Sequence, residues 1–379
     1  FDTRIIGAKF EDESNRWRLD TQSGESVTAR YVVAATGCLS TGNTPDFPGL
    51  DDFAGSCYHT GTWPHDGVDF TGKRVGLIGT GSTGIQATPV IAEQADHLYV
   101  FQRTPNYSIP ARNEPLTKKE SAEIKRRYAE IRERCRASDG GFPFAPSERM
   151  AQDYSAAERD EIYEELWQLG GFRILLCSFA ELTIDEFTNE TVAEFIRKKI
   201  REMVDDPKVA EQLLPYDHPY GTKRPPIDTD YYKTFNRDNV TLVDVRQAPI
   251  AEITPSGLRT EDQPYDLDII VFATGFDAMT GTLLNMGITG TDGRKLEEAW
   301  EGGPRTYLGL QMAGFPNFFT VTGPGSPSVL ANMPVAIEQH VEWISDCIEH
   351  LYSQDLSRIE ATDEAQETWV DHVREAGEA

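Results

Sequence analysis

Val75-Gly76-Leu77-Ile78-Gly79-Thr80-Gly81-Ser82-Thr83-Gly84-Ile85-Gln86 is the stretch that decides the fold. Val75–Ile78 reads as a buried strand, Gly79-x-Gly81-x-x-Gly84 as a tight turn, and Ile85–Gln94 as the start of a helix. Leu98-Tyr99-Val100-Phe101 follows as the next strand. Strand, turn, helix and strand make a βαβ unit, which predicts a parallel, doubly wound α/β sheet. Glycine triplets arise often by chance, so the placement carries the signal. Here the missing side chains let a pyrophosphate approach a helix N-terminus, Ser82 and Thr83 add hydroxyl donors, and no acid blocks the turn. The plain alternative is a tight strand–helix connection without a ligand.

Twenty-four residues beyond Gly79, at the end of the second strand, stands Gln102-Arg103-Thr104. An NAD site would place Asp or Glu near here for the ribose 2′-hydroxyl. A guanidinium with a neighbouring hydroxyl suits a 2′-phosphate instead, because the fork of donors matches phosphate oxygens. NADP is therefore favoured over NAD. A surface arginine at a strand end is the alternative reading of Arg103.

Outward from this unit, residues 3–10 and 16–21 alternate like strands around a polar turn at Glu11–Asn15, and Ser23-Gly24-Glu25 offers a second turn. Tyr31–Ala35 is a short buried-strand run ending in Thr36-Gly37. A loop rich in Gly, Pro and Asp spans Thr41–Gly72. Residues 117–137 and 156–205 carry helical spacing and many charges, which reads as a helical insertion with a solvated face. Strand patterns return at Val240–Val245 and Asp268–Ala273, and a helix is expected over Ile337–His350. The simplest picture is one domain, about 68–225, inserted into another.

With 379 residues the chain is long enough for two or three cores. Its net charge of −26 repels phosphate backbones and anionic lipids, so neither nucleic acid nor a membrane is expected as a partner. No apolar run is long enough to span a bilayer, which takes about 18 residues. The five cysteines are odd in number and widely spaced, without a CxxC pair, so no disulfide framework or structural zinc is expected. A reduced, cytoplasmic setting fits them. The chain opens Phe1-Asp2-Thr3-Arg4, with no signal-peptide pattern and no start Met, so the natural N-terminus is expected to lie upstream. His65 and Asp66 have no second cluster to complete a metal site, and none is expected.

Phe53-Ala54-Gly55-Ser56-Cys57-Tyr58-His59-Thr60-Gly61-Thr62-Trp63-Pro64 has the form F-x-G-x-x-x-H-x-x-x-W-P. It resembles the signature of Baeyer–Villiger monooxygenases, of the cyclohexanone, phenylacetone and steroid type. Flavin-containing and N-hydroxylating monooxygenases carry a related motif, usually without the Trp-Pro ending. The resemblance runs nearly the whole chain, through Ala35-Thr36-Gly37, Gly79–Gln86, Phe101–Pro105, Gly221-Thr222-Lys223-Arg224-Pro225, Phe235–Asp238, Ala273–Asp277 and Gly323–Pro327.

It implies an α/β fold of two Rossmann-like dinucleotide-binding domains, the FAD domain incomplete, with a helical insertion in the NADP domain. The implied division is 1–67 as the first part of the FAD domain and linker, 68–114 as the NADP-binding part and 115–214 as the helical insertion. Residues 215–227 then return to the NADP domain, and 228–379 complete the FAD domain. In this family NADPH reduces FAD, O2 adds to give a C4a-peroxyflavin, and its oxygen attacks a ketone to yield an ester or lactone.

By the same resemblance Arg224 is the catalytic arginine beside the flavin. Thr80, Gly81, Ser82, Thr83, Gly84, Ile85 and Gln86 form the pyrophosphate loop, and Lys223 joins Arg103 and Thr104 at the 2′-phosphate. Thr36, Gly37 and Met333 lie near the cofactors, and Val329, Leu330 and Met333 shape the substrate site. Phe53, Gly55, His59, Trp63 and Pro64 are linker residues of conformational rather than chemical role. Only one of the family's two glycine-rich turns is present, and the chain stops soon after Trp369, so both ends are expected to be truncated and the fragment alone inactive. An S- or N-oxygenating flavin enzyme and a catalytically silent NADP-binding fragment stay open as alternatives. The ketone and the oligomeric state are not specified by the residues.

Overall fold

The Arg74–Ile78 strand lies at the centre of a five-stranded sheet, and Val75–Ile78 are buried because both faces are covered. The order across the sheet is Val240–Asp244, His97–Gln102, Arg74–Ile78, Ile269–Phe272 and Ser56–His59, with every neighbouring pair parallel. The helix Ser82–Gln94 follows the central strand directly and buries Gly84, Ile85, Thr88, Ile91 and Ala92 against its own unit's core. This is the βαβ unit that the glycine turn predicted. The computed structural model describes residues 2–326 and 331–378; the expected substrate residues Val329 and Leu330 lie outside them.

The chain divides into two compact units. One comprises Phe1–Thr41, Arg126–Pro143 and Phe276–Ala379, and the other Gly42–Lys125 and Phe144–Gly275. This differs from the expected division in three places, the first being residues 42–67, which join the glycine-turn unit through the strand Ser56–His59. Residues 228–275 belong with the glycine turn, because Val240–Asp244 and Ile269–Phe272 hydrogen-bond into its sheet. Residues 126–143 leave the expected helical insertion. Arg132 and Arg136 of the helix Tyr128–Arg136 pair with Glu338 at 2.8 Å and Glu342 at 2.6 Å, on the helix Met333–Ser353 of the same unit. The rest of the insertion stays in the glycine-turn unit as Ala156–Leu169, Arg173–Cys177, Glu186–Met203 and Pro207–Leu213.

In the unit that holds both chain ends, Ile5–Glu11, Arg16–Thr21 and Ser26–Ala29 form an antiparallel meander. Trp17 is fully buried between Phe10 and Phe318, with its indole N–H donating to the Pro316 carbonyl at 2.7 Å. Val32–Ala34 pairs in parallel with Phe318–Thr320. Each of these two strands runs into a glycine-containing turn, Thr36-Gly37 and Gly323-Pro324-Gly325.

Candidate active site

Three glycines shape the turn for different reasons. Gly79 takes φ 108°, and a Cβ there would lie 2.5 Å from the Ala273 carbonyl. A Cβ on Gly84 would lie 2.0 Å from the carbonyl of Gly79, so the helix can approach the strand only without it. Gly81 faces open space and supplies the N-cap, leaving no side chain over the helix N-terminus. Open volume in front of uncapped helical N–H groups fits a pyrophosphate. Thr80 is buried, and its hydroxyl donates to the Thr104 carbonyl at 2.9 Å. Asn106 donates to the Thr80 carbonyl at 2.6 Å. These bonds tie the glycine turn to the Gln102-Arg103-Thr104 segment, where Gln102 is buried and Arg103 exposed. Gln86 is engaged elsewhere, donating to the Ile227 carbonyl at 2.9 Å. Among the described residues no carboxylate stands within salt-bridge distance of Arg103, Lys223 or Arg224, so all three cations are available to an anion.

Lys223 and Arg224 are presented by a turn whose anchor the sequence reading missed. Asn189, on the buried face of the helix Glu186–Met203, accepts from the Tyr220 N–H at 2.9 Å and donates to the Tyr220 carbonyl at 2.8 Å. Gly221 then turns the chain at φ 87°, and Lys223 and Arg224 emerge exposed. The available signal was an amide one helical turn before Val192 and Ala193, on the face that buries them. Asn189→Leu is expected to weaken NADP binding several-fold with every charge intact, because it leaves both polar atoms of the Tyr220 peptide unpaired. Calorimetric titration of NADP would check this; unchanged affinity would remove Asn189 from the site's support.

On the far side of Arg224 the chain is held by a buried polar network. Asp228 accepts from the Ser108 hydroxyl at 2.5 Å and from the Tyr231 N–H at 3.0 Å. Ser108 N–H donates to the Tyr232 hydroxyl at 3.0 Å, which in turn donates to the Asn106 carbonyl at 2.9 Å. Burial pushes the Asp228 carboxyl up, against the pull of the Ser108 and Tyr231 hydrogen bonds. A raised folded pKa means that the native state holds the proton longer than the unfolded chain. The stability Asp228 contributes is therefore complete below the ordinary carboxylate value near 4 and is lost as pH rises through the raised value. Asn at this position can keep both hydrogen bonds without a charge. Asp228→Asn should gain stability over the native protein as pH climbs from about 4 toward neutrality. Melting curves of the two proteins across that range give the test, and a difference independent of pH would contradict it.

The fingerprint residues pack and turn. Gly55 has no room for a side chain, since a Cβ would lie 2.3 Å from the Asp268 carbonyl and 2.5 Å from the Phe53 ring. His59 is buried, and its Nδ1 accepts from the Gly61 N–H at 3.0 Å, capping the turn Thr60–Thr62. Trp63 stands 5.8 Å from the Tyr58 ring and 6.2 Å from that of Phe70. Pro64 accepts from Gly67 N–H at 3.0 Å.

In the other unit, Thr36-Gly37 and Gly323-Pro324-Gly325 sit at the carboxyl ends of paired parallel strands, the edge where open α/β sheets bind nucleotides. Gly37 and Gly325 take φ 75° and 79°, which keeps both turns tight and free of side chains. The second turn is pinned from three segments. Thr322 N–H donates to His340 Nδ1 at 2.9 Å, Thr306 donates to the Pro324 carbonyl at 2.6 Å, and Trp369 donates to the Gly325 carbonyl at 3.0 Å. Burial pushes the His340 imidazolium down, in keeping with its acceptor role. Met333 is half-buried and opens the helix Met333–Ser353. A pair of glycine turns at a parallel-strand edge fits a second dinucleotide.

Glycine turns at the carboxyl edges of parallel strands are the pattern of dinucleotide-binding folds, and comparison with known proteins gives the family. No family model matches the chain. A Baeyer–Villiger monooxygenase of Pseudooceanicola batsensis is 43% identical over 377 residues, covering 99% of this chain and 68% of that protein. The 2-oxo-Δ3-4,5,5-trimethylcyclopentenylacetyl-CoA monooxygenase of Pseudomonas putida is 45% identical over 379 residues, covering 98% of this chain and 70% of the relative. A crystal structure of OTEMO in complex with FAD and NADP is 45% identical and superposes with TM-score 0.95, covering 98% of this chain and 71% of the other. The chain belongs to the Baeyer–Villiger monooxygenases.

Proposed function

We propose that this protein inserts one oxygen atom of O2 beside a ketone carbonyl, using FAD and NADPH, to give an ester or lactone. The overall reaction consumes ketone, O2, NADPH and a proton and yields ester, NADP+ and water. The observation that carries the reading is structural. One compact unit holds the open glycine turn, the Arg103-Thr104 segment tied to it by the Thr80–Thr104 hydrogen bond, and the turn presenting Lys223 and Arg224, which supports this reading. FAD, when bound, accepts hydride from NADPH and activates O2.

The chain's own residues do the rest. Ser82 and Thr83, with the helix N–H groups, hold a pyrophosphate over Gly81. Arg103, Thr104 and Lys223 select NADPH by pairing with its 2′-phosphate. Thr36, Gly37 and Met333 hold the flavin nucleotide. Arg224, which cannot lose its proton, stabilises negative charge on oxygen as it adds to the ketone carbonyl. Phe53, Gly55, His59, Trp63 and Pro64 serve as a structural link. The substrate is a small-molecule ketone in a reducing, cytoplasmic setting, in line with five free cysteines. Among the described residues no helix is long and apolar enough to cross a membrane.

The test supplies the full-length protein with FAD, NADPH, ¹⁸O2 and a panel of cyclic, aromatic and linear ketones. Esters or lactones heavier by one ¹⁸O support the reading. Sulfoxides or N-oxides alone would move the protein to heteroatom oxygenation, and NADP binding without any oxygenated product would make it a binding module.

A further inference from the structure

The Arg224 guanidinium lies over the face of the Phe172 ring, with its carbon 4.8 Å from the ring centroid. Phe172 belongs to the helical segment, 52 residues before Arg224 in the chain. Its position is built rather than incidental. The helix Ala156–Leu169 ends at Gly170-Gly171, both with positive φ, of 68° and 63°. A Cβ on Gly170 would lie 2.6 Å from the Pro110 carbonyl and 2.5 Å from the Arg112 side chain, so the turn sits hard against the Ile109–Pro110 strand. Gly171 N–H donates to that same Pro110 carbonyl at 2.9 Å, and the next residue is Phe172. Arg173 closes the turn by donating to the Leu169 and Gly170 carbonyls at 3.2 and 3.0 Å.

The strand that seats Phe172 also seats Arg224. Ile109 pairs in parallel with Ile227, and Ile109 N–H donates to the Pro226 carbonyl at 2.9 Å. Pro225 and Pro226, both buried, fix φ between Arg224 and this strand pair. One short strand therefore sets ring and guanidinium against each other from two sides. Phe172 is itself half-buried against the core, which leaves it little freedom to follow a moving partner.

We propose that Phe172 is a positioning residue for Arg224, whose ring face holds the exposed guanidinium in one orientation. Without it an exposed arginine samples many rotamers, and the charge is spread over a wider volume than an oxygen addition needs. The inference rests on the reading of Arg224 as the charge that serves oxygen transfer. Its signature is a loss of coupling: NADPH is still consumed, but more of the O2 ends as hydrogen peroxide and less as ester.

Phe172→Leu is expected to lower ester formed per NADPH consumed about fivefold, the scale of an exposed cation–π contact. The KM for NADPH should stay unchanged, because Arg103, Thr104 and Lys223 are untouched. Phe172→Trp, which keeps a ring face, should restore most of the coupling. A readout independent of turnover comes from the ¹⁵N-arginine spectrum of the unmodified protein, with the Arg224 side-chain N–H assigned by its loss in Arg224→Lys. That resonance should be shifted upfield by the ring and return to its ordinary position in Phe172→Leu. An unshifted resonance, or full coupling in Phe172→Leu, overturns the proposal. If ester formation survives in Arg224→Ala, the reading of Arg224 fails instead, and the two failures are told apart.

Discussion

Arg224→Ala is expected to cut ester formation by about 10²–10³-fold, the usual cost of removing one group aimed at developing negative charge. Flavin bleaching by NADPH should persist, because hydride delivery builds no charge on oxygen. Arg224 is exposed, and no carboxylate pairs with it among the described residues. Its removal therefore leaves no orphaned partner, and the melting temperature should hardly move. Arg224→Lys separates charge from shape. It keeps a cation but loses the planar group that stacks on Phe172 and the fork that can reach two oxygens at once. An intermediate loss, on the order of tenfold, is expected. Anaerobic reduction followed by product analysis in oxygenated buffer distinguishes the two stages. Ester formation in the alanine variant above about a tenth of the native level would take Arg224 out of the chemistry.

The elements that announced themselves in sequence are those whose environment is uniform. Strands buried on both faces read as unbroken apolar runs, so Val75–Ile78 and Leu98–Phe101 were legible, and the glycine turn between strand and helix came with them. What stayed hidden depends on partners far away in the chain. The charged helix Tyr128–Arg136 has the same pattern whichever unit it joins, and its allegiance is set by Glu338 and Glu342, more than two hundred residues on. Asn189 and Asp228 read as ordinary polar residues until packing buries them against Tyr220 and Ser108. Phe172 is one aromatic among many in the sequence, and only its seat on Pro110 gives it a meaning. The fingerprint shows the converse. Phe53–Pro64 pointed to the family, and the structure engages Gly55, His59 and Trp63 in close packing and a capped turn.

Two glycines of the turn, Gly84 and Gly81, should differ in what a methyl group costs, the first losing stability and binding together and the second binding alone. In Gly84→Ala the new carbon would lie 2.0 Å from the Gly79 carbonyl, well inside any tolerable contact. Gly79 cannot retreat, because it is itself wedged against the Ala273 carbonyl at the end of the neighbouring strand. The helix Ser82–Gln94 must therefore lift off the sheet, opening the packing of Ile85 and Ile91 in the core. Overpacking of this kind costs about 1–3 kcal/mol, and the unfolding midpoint of this unit should drop by several degrees. NADP binding should fall below detection as the helix N-terminus moves away. Gly81→Ala meets nothing within 4 Å and needs no positive φ, so its stability should match the native protein. Its methyl enters the open space over the helix N-terminus, however, and NADP affinity should fall while the melting curve stays put. Calorimetric titration beside thermal melting reads both quantities for each variant. If Gly81→Ala binds NADP as well as the native protein, the pyrophosphate does not lie over that turn.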